Sequence, residues 1–306
     1  MTNHFQFNTP TLVMIVGPTA VGKTKLAIQL AQAFGTEIVS VDSRQCYREM
    51  SIGTAVPHPD ELALVPHHFI HSHSIHSEMN VSDFEKQAIL TLSRLFQQHA
   101  VAIAVGGSGL YVRALCEGFD ELPTVHFSLR QVLNERLQWE GIEALQQQLK
   151  QLDPVYYQEV DLQNPQRIIR ALEVCLASNK PFSSFRKSVV QTRPFKIIKI
   201  GLNVDRTLLY QRIEHRVDQM VLDGLVNEVE QLIPFKNLNS LHTVGYTELF
   251  DYFAEKYSLE QAIQVIKQHT RRFAKRQLTW FRKDPAIEWF QPHQYDEIFK
   301  YIVSSL

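Results

Sequence analysis

The sequence predicts an α/β fold in which helices flank a parallel sheet, together with an all-helical insertion domain. Three observations predict it. Apolar runs alternate with amphipathic stretches over the first hundred or so residues, a pattern typical of parallel strands joined by crossover helices. A glycine-bearing turn follows the first apolar run, and a stretch without a clear strand begins near residue 120. The length of 306 residues suits one large domain or a core with a smaller companion.

The first three elements surround the glycine-bearing turn. An unbroken apolar run at Thr11–Val16 predicts a buried strand, and the turn at Gly17–Gly22 follows it. A helix is expected over Lys23–Phe34, because its apolar residues recur at helical spacing and a glycine comes directly after it. The run Glu37–Ser43 is the second predicted strand.

A second helix and a third strand complete the first part of the core. Ser82 and Glu85 have the spacing of a capping box, which predicts a helix from there to about Gln98. The run Val101–Val105 predicts a third strand and continues into two glycines. We therefore expect a P-loop NTPase-like core whose turns gather at the carboxyl ends of its strands.

The helical insertion is expected over 120–194. Ser128 is the expected cap of its first helix, a second helix covers about 142–152, and Asn164 caps a third. A strand at Lys196–Val204 then returns to the sheet, and the rest of the chain is expected to be mostly helical. The core domain is accordingly expected at 1–119 and 195–306.

Composition excludes several classes of protein. The 31 basic and 32 acidic side chains nearly cancel, so any nucleic-acid surface must be a local patch. No apolar run reaches the ~18–20 residues that cross a bilayer, and the first residues lack the pattern of a signal peptide. The three cysteines form no CxxC pair, which argues against zinc and disulfides. We expect a cytoplasmic protein without membrane association.

The turn after the first strand matches the phosphate-binding pattern GxxxxGK[ST]. Glycines let successive amides and the helix N-terminus point at phosphate oxygens, lysine adds a positive charge, and the final hydroxyl can bind Mg²⁺. The alternative is a chance turn, which the flanking strand and helix disfavour. We expect a diphosphate or triphosphate to bind the residues Gly17, Pro18, Thr19, Ala20, Val21, Gly22, Lys23 and Thr24.

Two features weaken the interpretation as an NTP hydrolase. Hydrolases of this kind need a carboxylate at the end of another strand, but Val101–Val105 ends in GGSGLY. An NKxD-type segment for guanine is also missing.

Asp42, after the second predicted strand, lies on the same edge as the turn and could accept a proton from a substrate hydroxyl or amine. Its alternative role is to cap its own turn.

Three further groups leave alternatives open. Arg212 and Arg216 share a helix face after the expected N-cap Asp205, which fits a diphosphate clamp or a solvated surface. A histidine-rich tract could bind metal, but a polar loop is the default; its members are His67, His68, His71, His73 and His76.

The segment Lys267–Lys283 carries seven basic residues and no acid. At helical spacing Arg272, Lys275, Arg276, Thr279 and Arg282 share a face, which fits RNA phosphates, while Phe273 is assigned to the core with Ile263 and Ile266. Trp280 and Phe281 could stack on bases or belong to the core, and the core is favoured for Phe281.

These pieces together resemble the tRNA dimethylallyltransferase (tRNA isopentenyltransferase) family, in its bacterial type without the zinc finger of eukaryotic relatives. The resemblance covers about Val13 to Phe290. It rests on the ordered blocks GPTAVGKT (17–24), VDSRQCY (41–47), IGTAVP (52–57), VGGSGLYV (105–112), LQNPQRIIRALEV (162–174), RIEHR (212–216), HTVGYTEL (242–249) and KRQLTWFR (275–282).

The resemblance implies a Mg²⁺-dependent transfer of the dimethylallyl group from dimethylallyl diphosphate to the N6 amine of the adenosine just 3′ of the tRNA anticodon. The prenyl diphosphate, rather than ATP, occupies the turn in this family. The implied Mg²⁺ ligand is Thr24, the implied base is Asp42, and Ser108 and Arg216 contact the diphosphate. The insertion is expected to grip the anticodon stem-loop, and we expect a monomer.

The same resemblance implies a set of tRNA contacts. Ser108 stands where Thr is usual in the family, Val56 replaces a frequent Lys, and His242 replaces a common Gln. The alternatives to the family are a P-loop kinase for a small metabolite and an RNA-binding protein with a nucleotide-sensing turn. The implied contacts are Asp42, Ser43, Arg44, Gln45, Ser108, Arg130, Gln166, Arg167, Ile168, Ile169, Arg170, His242, Thr243, Val244, Gly245, Tyr246, Lys275, Arg276, Gln277, Trp280 and Arg282.

Overall fold

A computed structural model describes residues 9–77, 79–120, 122–123, 125–186 and 191–306. The chain forms two compact units, one made of 1–117 with 192–306 and the other of 118–191. The insertion expected at 120–194 thus differs from the second unit by two residues at its start and three at its end.

The centre of the first unit is a six-stranded sheet. Its strands are β1 (Thr11–Val16), β2 (Ile38–Ser40), β3 (His67–His68), β4 (Val101–Val105), β5 (Lys196–Leu202) and β6 (Ile287–Phe290). They lie in the order β3-β2-β4-β1-β5-β6, and every neighbouring pair is parallel. The predicted α/β class with a parallel sheet is therefore confirmed.

The helices belong to both units, with α5, α6 and α7 in the second. In chain order they are α1 (Lys23–Phe34), α2 (Pro59–Leu64), α3 (Val81–Leu95), α4 (Gly109–Glu117), α5 (Phe127–Leu152), α6 (Pro154–Glu159), α7 (Pro165–Ser178), α8 (Arg206–Leu222), α9 (Leu225–Gln231), α10 (Tyr246–Phe253), α11 (Leu259–Phe281) and α12 (Tyr295–Ser304). The expected bounds of β1, β4 and α1 are confirmed.

The sheet separates two apolar cores. Leu12 and Met14 of β1 face a core that includes residues of α3, α4, α9, α10 and α11. Val13 and Ile15 face the opposite core, with residues of α1, α8 and α12. Because successive strand residues point to opposite faces and helices cover both, β1 is apolar along its length.

The carboxyl ends of β1, β2 and β4 meet at one edge. Val41 donates its N–H to the Val105 carbonyl at 2.7 Å, and Gly106 donates to the Ile15 carbonyl at 3.1 Å. At Gly17 the backbone has a φ of +145°, and a Cβ there would lie 2.5 Å from the carbonyl oxygen of Leu202. A glycine is therefore needed where the turn leaves the sheet.

Several local predictions were wrong. The strand expected at 37–43 is shorter, because the chain turns at Asp42. The cap of α3 is Asn80 rather than Ser82, and the cap of α5 is His126 rather than Ser128. The short parallel strands β3 and β6 were not predicted, since β3 falls in the histidine tract and β6 in a stretch expected to be helical.

The second unit is helical in all of its described residues that form regular structure. Within α5, Gly141 has non-helical angles (φ 79°, ψ 177°), so a break separates its two parts, near where the second helix was expected. Asn164 caps α7 by accepting the N–H of Arg167, as predicted. The apolar core of this unit includes Leu133, Leu145, Leu149, Ile168, Ile169 and Leu172.

Among the helices of the described residues, none combines the length and the apolar character that crossing a bilayer requires.

Candidate active site

A cavity of about 770 Å³ lies at the carboxyl edge of the sheet. Its walls come from the glycine-bearing turn, the segments after β2 and β4, and one side each of α8 and α11. The predicted residues that line it are Thr19, Lys23, Thr24, Asp42, Ser43, Arg44, Gln45, Ser108, Arg216, His242, Thr243, Val244, Gly245, Arg276, Gln277 and Trp280. Outside its lining, within the same unit, are Gly17, Pro18, Ala20, Val21, Gly22, Arg212, Tyr246, Lys275 and Arg282.

Arg212 and Arg216 of α8 both contact the turn. Arg212 donates from Nη1 to the Val21 carbonyl at 3.2 Å, and Arg216 donates from Nη1 to the Thr19 hydroxyl at 3.4 Å. Arg216 is partly buried whereas Arg212 stays exposed. Of the two alternatives, the clamp therefore fits Arg216 best, because its guanidinium lies in the cavity wall.

Two desolvated cations lie side by side at the turn. Lys23 donates from Nζ to the Pro18 carbonyl at 2.8 Å. Burial and the Arg216 charge lower the pKa of Lys23 to about 7, against the opposite effect of nearby Asp42, and burial also lowers the pKa of Arg216. Neither cation forms a salt bridge with another described residue. Cations without partners are unfavourable in a desolvated place, so the pair is typical of a site prepared for an anion.

Asp42 serves as a turn cap with one of its oxygens. Oδ1 accepts the N–H groups of Arg44 at 2.9 Å and Gln45 at 3.3 Å, as the capping alternative predicted. No described residue donates a hydrogen bond to Oδ2. Beside it, Ser108 accepts the Ser43 N–H at 3.0 Å and lies 3.2 Å from the Ser43 hydroxyl. Asp42 thus lines the cavity with one oxygen that the described residues leave without a donor.

Gln277 connects two walls of the cavity. Its Oε1 accepts the Thr19 N–H at 2.9 Å, and its Nε2 donates to the Gly107 carbonyl at 3.0 Å. The residue is only 6% exposed, so its side chain is occupied inside the protein rather than presented to RNA. It braces the glycine-bearing turn against the segment that carries Ser108.

Replacing Gln277 by leucine is expected to weaken the binding of inorganic pyrophosphate and to lower the free energy of unfolding. The partly buried Thr19 N–H and the buried Gly107 carbonyl would lose their partner, which costs about 1–3 kcal/mol. Calorimetric titration and urea unfolding measure the two effects. Gln268→Leu, on an exposed position of α11, is the matched control. Unchanged values in Gln277→Leu would contradict the bracing role.

Helix α11 has two sides of different character. The cavity-facing side carries His269, Phe273, Arg276 and Trp280, whereas the predicted basic face shares only Arg276 with that lining. The assignment of Phe273 to the core was wrong, since it is 38% exposed and its ring lies beneath the Arg276 guanidinium. Phe281 is buried as favoured, and Trp280 is 43% exposed. The helix therefore offers aromatic rings to the cavity and most of its cations to its outer surface.

The segment 242–246 likewise contains residues that line the cavity and one residue that does not. His242, Thr243, Val244 and Gly245 line the cavity, but Tyr246 is fully buried. The side chain of Tyr246 therefore cannot contact RNA in this structure, contrary to the implied contact.

The predicted tRNA contacts of the second unit are of two kinds. Ile168 and Ile169 are fully buried in its core, so their side chains are not available for RNA. Arg130 and Arg170 both pair with the buried carboxylate of Glu173, Arg170 at 3.2 Å, and both remain partly exposed. Gln166 and Arg167, also expected contacts, lie in the exposed or partly exposed first turn of α7.

The histidine tract has mainly polar partners. His68 bonds to Glu37 at 2.6 Å, and His71 to the Ser51 hydroxyl at 3.0 Å. Burial lowers the pKa of His67 and of His73. Within the described part of the chain, no group of three or more His, Cys, Asp or Glu side chains is placed to hold a metal ion. Two residues of the tract, His67 and His68, form β3 at the edge of the sheet.

Sequence reasoning missed two carboxylates near the cavity. Glu228 on α9 accepts hydrogen bonds from the 51–53 segment, and Glu248 on α10 bonds to His269 at 2.5 Å. Glu248 lies inside the block 242–249, so its polar character among apolar neighbours was a usable signal. Glu228 stands in an ordinary amphipathic pattern, and nothing in that pattern singles it out.

Comparisons with known proteins agree across most of the chain. A family model described as IPP transferase matches residues 45–284. The tRNA dimethylallyltransferase of Christiangramia forsetii is 54% identical over 299 residues, covering 96% of this chain and 98% of that relative. The tRNA dimethylallyltransferase 1 of Bacteroides thetaiotaomicron is 47% identical over 293 residues, covering 96% of this chain and 95% of the relative.

Solved structures give the same result. The full-length tRNA isopentenylpyrophosphate transferase of Bacillus halodurans matches with a TM-score of 0.71 and 35% identity, over 96% of both chains. A eukaryotic dimethylallyltransferase, solved in a study of its action on tRNA, matches with a TM-score of 0.74 and 25% identity, over 89% of this chain and 70% of its own.

Proposed function

The chain belongs to the IPP transferase family, and we propose that it transfers the dimethylallyl group of dimethylallyl diphosphate to the N6 amine of the adenosine 3′ of a tRNA anticodon. The observation that carries the proposal is that Lys23 and Arg216, which form no salt bridge with the described residues, lie beside the carboxylate of Asp42 in one cavity. The relatives named above transfer prenyl groups to tRNA by name, so the kinase alternative is not favoured.

The reaction needs a good leaving group more than a strong nucleophile. The N6 lone pair is delocalised into the purine, whereas the allylic carbon becomes a resonance-stabilised, cation-like centre as the diphosphate departs. Nitrogen forms its bond to C1 while the C1–O bond breaks and its electron pair leaves with the diphosphate. Lys23, Arg216 and Ser108 stabilise that charge, and Oδ2 of Asp42 accepts the surplus N6 proton.

We infer that Mg²⁺ accompanies the diphosphate, with Thr24 as its protein ligand. Thr24 lines the cavity beside Lys23. Mg²⁺ usually takes one or two protein oxygens and completes its shell with phosphate oxygens and water, so a single hydroxyl next to a diphosphate site suits it. The ion supplies further neutralisation of the leaving diphosphate.

The tRNA is proposed to contact both units of a monomeric, cytoplasmic enzyme. The target adenine must leave its stack to reach the carboxyl edge of the sheet. Phe273 and Trp280 offer exposed aromatic surface in the cavity on which bases can stack. The unit 118–191 is proposed to grip the anticodon stem-loop, with Arg130 and Arg170 directed by Glu173.

A transfer assay tests the proposed function. Purified protein receives Mg²⁺, labelled dimethylallyl diphosphate and an unmodified tRNA, and ATP turnover is followed in parallel. Label on the adenosine 3′ of the anticodon supports the proposal. Phosphate release from ATP with unlabelled tRNA would overturn it in favour of a kinase.

Lys275→Ala is expected to weaken tRNA binding several-fold and to reduce the salt dependence of the affinity. Each lost phosphate contact lowers the slope of log K against log salt by ~0.7–0.9. Lys300→Ala, an exposed lysine on α12, is the control that should leave the slope unchanged. Filter binding at several salt concentrations measures both, and equal slopes would exclude Lys275 from the RNA surface.

A further inference from the structure

Glu228 of α9, which was not among the predicted site residues, fixes a loop that contributes to the cavity wall. Its Oε2 accepts the backbone N–H groups of Ser51 at 2.9 Å and Ile52 at 2.8 Å. Its Oε1 accepts the Gly53 N–H at 3.0 Å and the Tyr246 hydroxyl at 2.6 Å. One carboxylate on α9 thus organises three consecutive amides of a loop more than 170 residues away in sequence.

The loop leads directly to the turn of Asp42. Gly53, Thr54 and Ala55 line the cavity. The carbonyls of Thr54 and Ala55 accept hydrogen bonds from Gln45 Nε2 at 3.2 and 2.9 Å. The N–H of Gln45 in turn donates to Asp42 Oδ1 at 3.3 Å. A continuous series of contacts therefore joins Glu228 to the carboxylate at the centre of the cavity.

A charged side chain is needed at 228. The four hydrogen bonds use both oxygens as acceptors, and no described lysine or arginine forms a salt bridge with them. An amide at this position would offer one acceptor and turn its NH₂ toward N–H donors. The ring of Tyr246 also packs closely against the loop. A Cβ at Gly53 would lie only 2.5 Å from this ring, so the contact requires glycine at 53. Burial and the Glu228 charge raise the pKa of Tyr246, so its hydroxyl remains a donor.

We propose that Glu228 is a positioning residue of prenyl transfer: by fixing the amides of Ser51–Gly53 it holds the 54–55 wall and Gln45, and through them the orientation of Asp42. The inference rests on the proposed function. Lys23 and Arg216 bond to Pro18 and Thr19 of the glycine-bearing turn, whereas the hydrogen bonds of Glu228 go to the 51–53 loop and Tyr246. Loss of Glu228 should therefore affect the chemical step more than diphosphate binding.

The test compares Glu228→Gln with the wild type and with two other variants. We expect Glu228→Gln to lower kcat by about 10- to 100-fold, the scale of a small misplacement of a reacting group. Its KM for dimethylallyl diphosphate and the rise in Tm caused by inorganic pyrophosphate should remain as in the wild type. Tyr246→Phe, which removes one of the four donors, should give a smaller decrease in kcat.

Glu49→Gln is the matched control. Glu49 also accepts a hydroxyl and a backbone N–H, from Ser74 at 2.6 Å and Ile75 at 3.0 Å, but does not line the cavity. Its kcat should match the wild type. A normal kcat in Glu228→Gln, or a loss of the pyrophosphate effect equal to the loss of kcat, would overturn the inference. Absence of transfer by the wild type would instead overturn the proposed function.

Discussion

Replacing Asp42 by asparagine is expected to slow prenyl transfer by about 10²- to 10⁴-fold, the usual contribution of a general base. Asparagine keeps an acceptor for the N–H groups of Arg44 and Gln45, so the turn should survive. What it removes is the negative oxygen that receives the N6 proton. Single-turnover transfer with saturating substrates measures the rate, and tRNA affinity should change little.

Asp205→Asn provides the matched control for this prediction. Asp205 also caps a backbone turn, accepting the N–H groups of Thr207 at 2.7 Å and Leu208 at 3.4 Å, but it lies outside the cavity lining. Its transfer rate should equal that of the wild type. If Asp42→Asn also kept that rate, Asp42 would be only a turn cap, and the alternative of a non-catalytic RNA-binding protein would gain support.

The central elements could be predicted because their signals are local. β1 and β4 are apolar runs that are each followed by a glycine, and α1 begins and ends at glycines. Strands β3 and β6 have two and four residues. A strand that short exists only through pairing with its neighbour in the sheet, here β2 or β5, and the sequence around it carries no alternation to detect.

The helix caps show a related limit. Ser82 and Ser128 were plausible caps by spacing, but Asn80 and His126 accept the free N–H groups instead. An asparagine side chain is an equally good cap, so which polar residue starts the helix depends on where the chain leaves the preceding loop.

The candidate site was predicted best where chemistry and position coincide. The turn, Asp42 and Ser108 meet in the cavity, as their places at strand ends suggested. A match to a family sequence motif, however, does not distinguish side chains that contact a ligand from side chains that hold the motif in its conformation. Gln277 and Tyr246 belong to implied contact blocks, yet their side chains bond within the protein. Only the three-dimensional contacts distinguish the two roles.

Arg216→Gln is expected to lower kcat by about 10²- to 10³-fold, the effect of removing one donor that stabilises developing negative charge. Arg216 lies in the cavity wall and contacts Thr19 of the turn, so its loss removes charge where the diphosphate forms. The rise in Tm caused by inorganic pyrophosphate should shrink in parallel. Arg206→Gln, on the same helix and with its guanidinium over the ring of Tyr210, should keep both values.

The same substitution should stabilise the unliganded protein. Burial lowers the pKa of Arg216, and its charge helps lower that of Lys23, so the two cations destabilise each other until an anion binds. Glutamine removes one charge of the pair, and the free energy of unfolding without ligand should rise while activity falls. Urea unfolding with and without pyrophosphate separates these effects. In a site prepared for an anion, removing one of two repelling cations raises the free energy of unfolding of the unliganded protein. A variant that loses both stability and activity would therefore identify Arg216 as a structural residue.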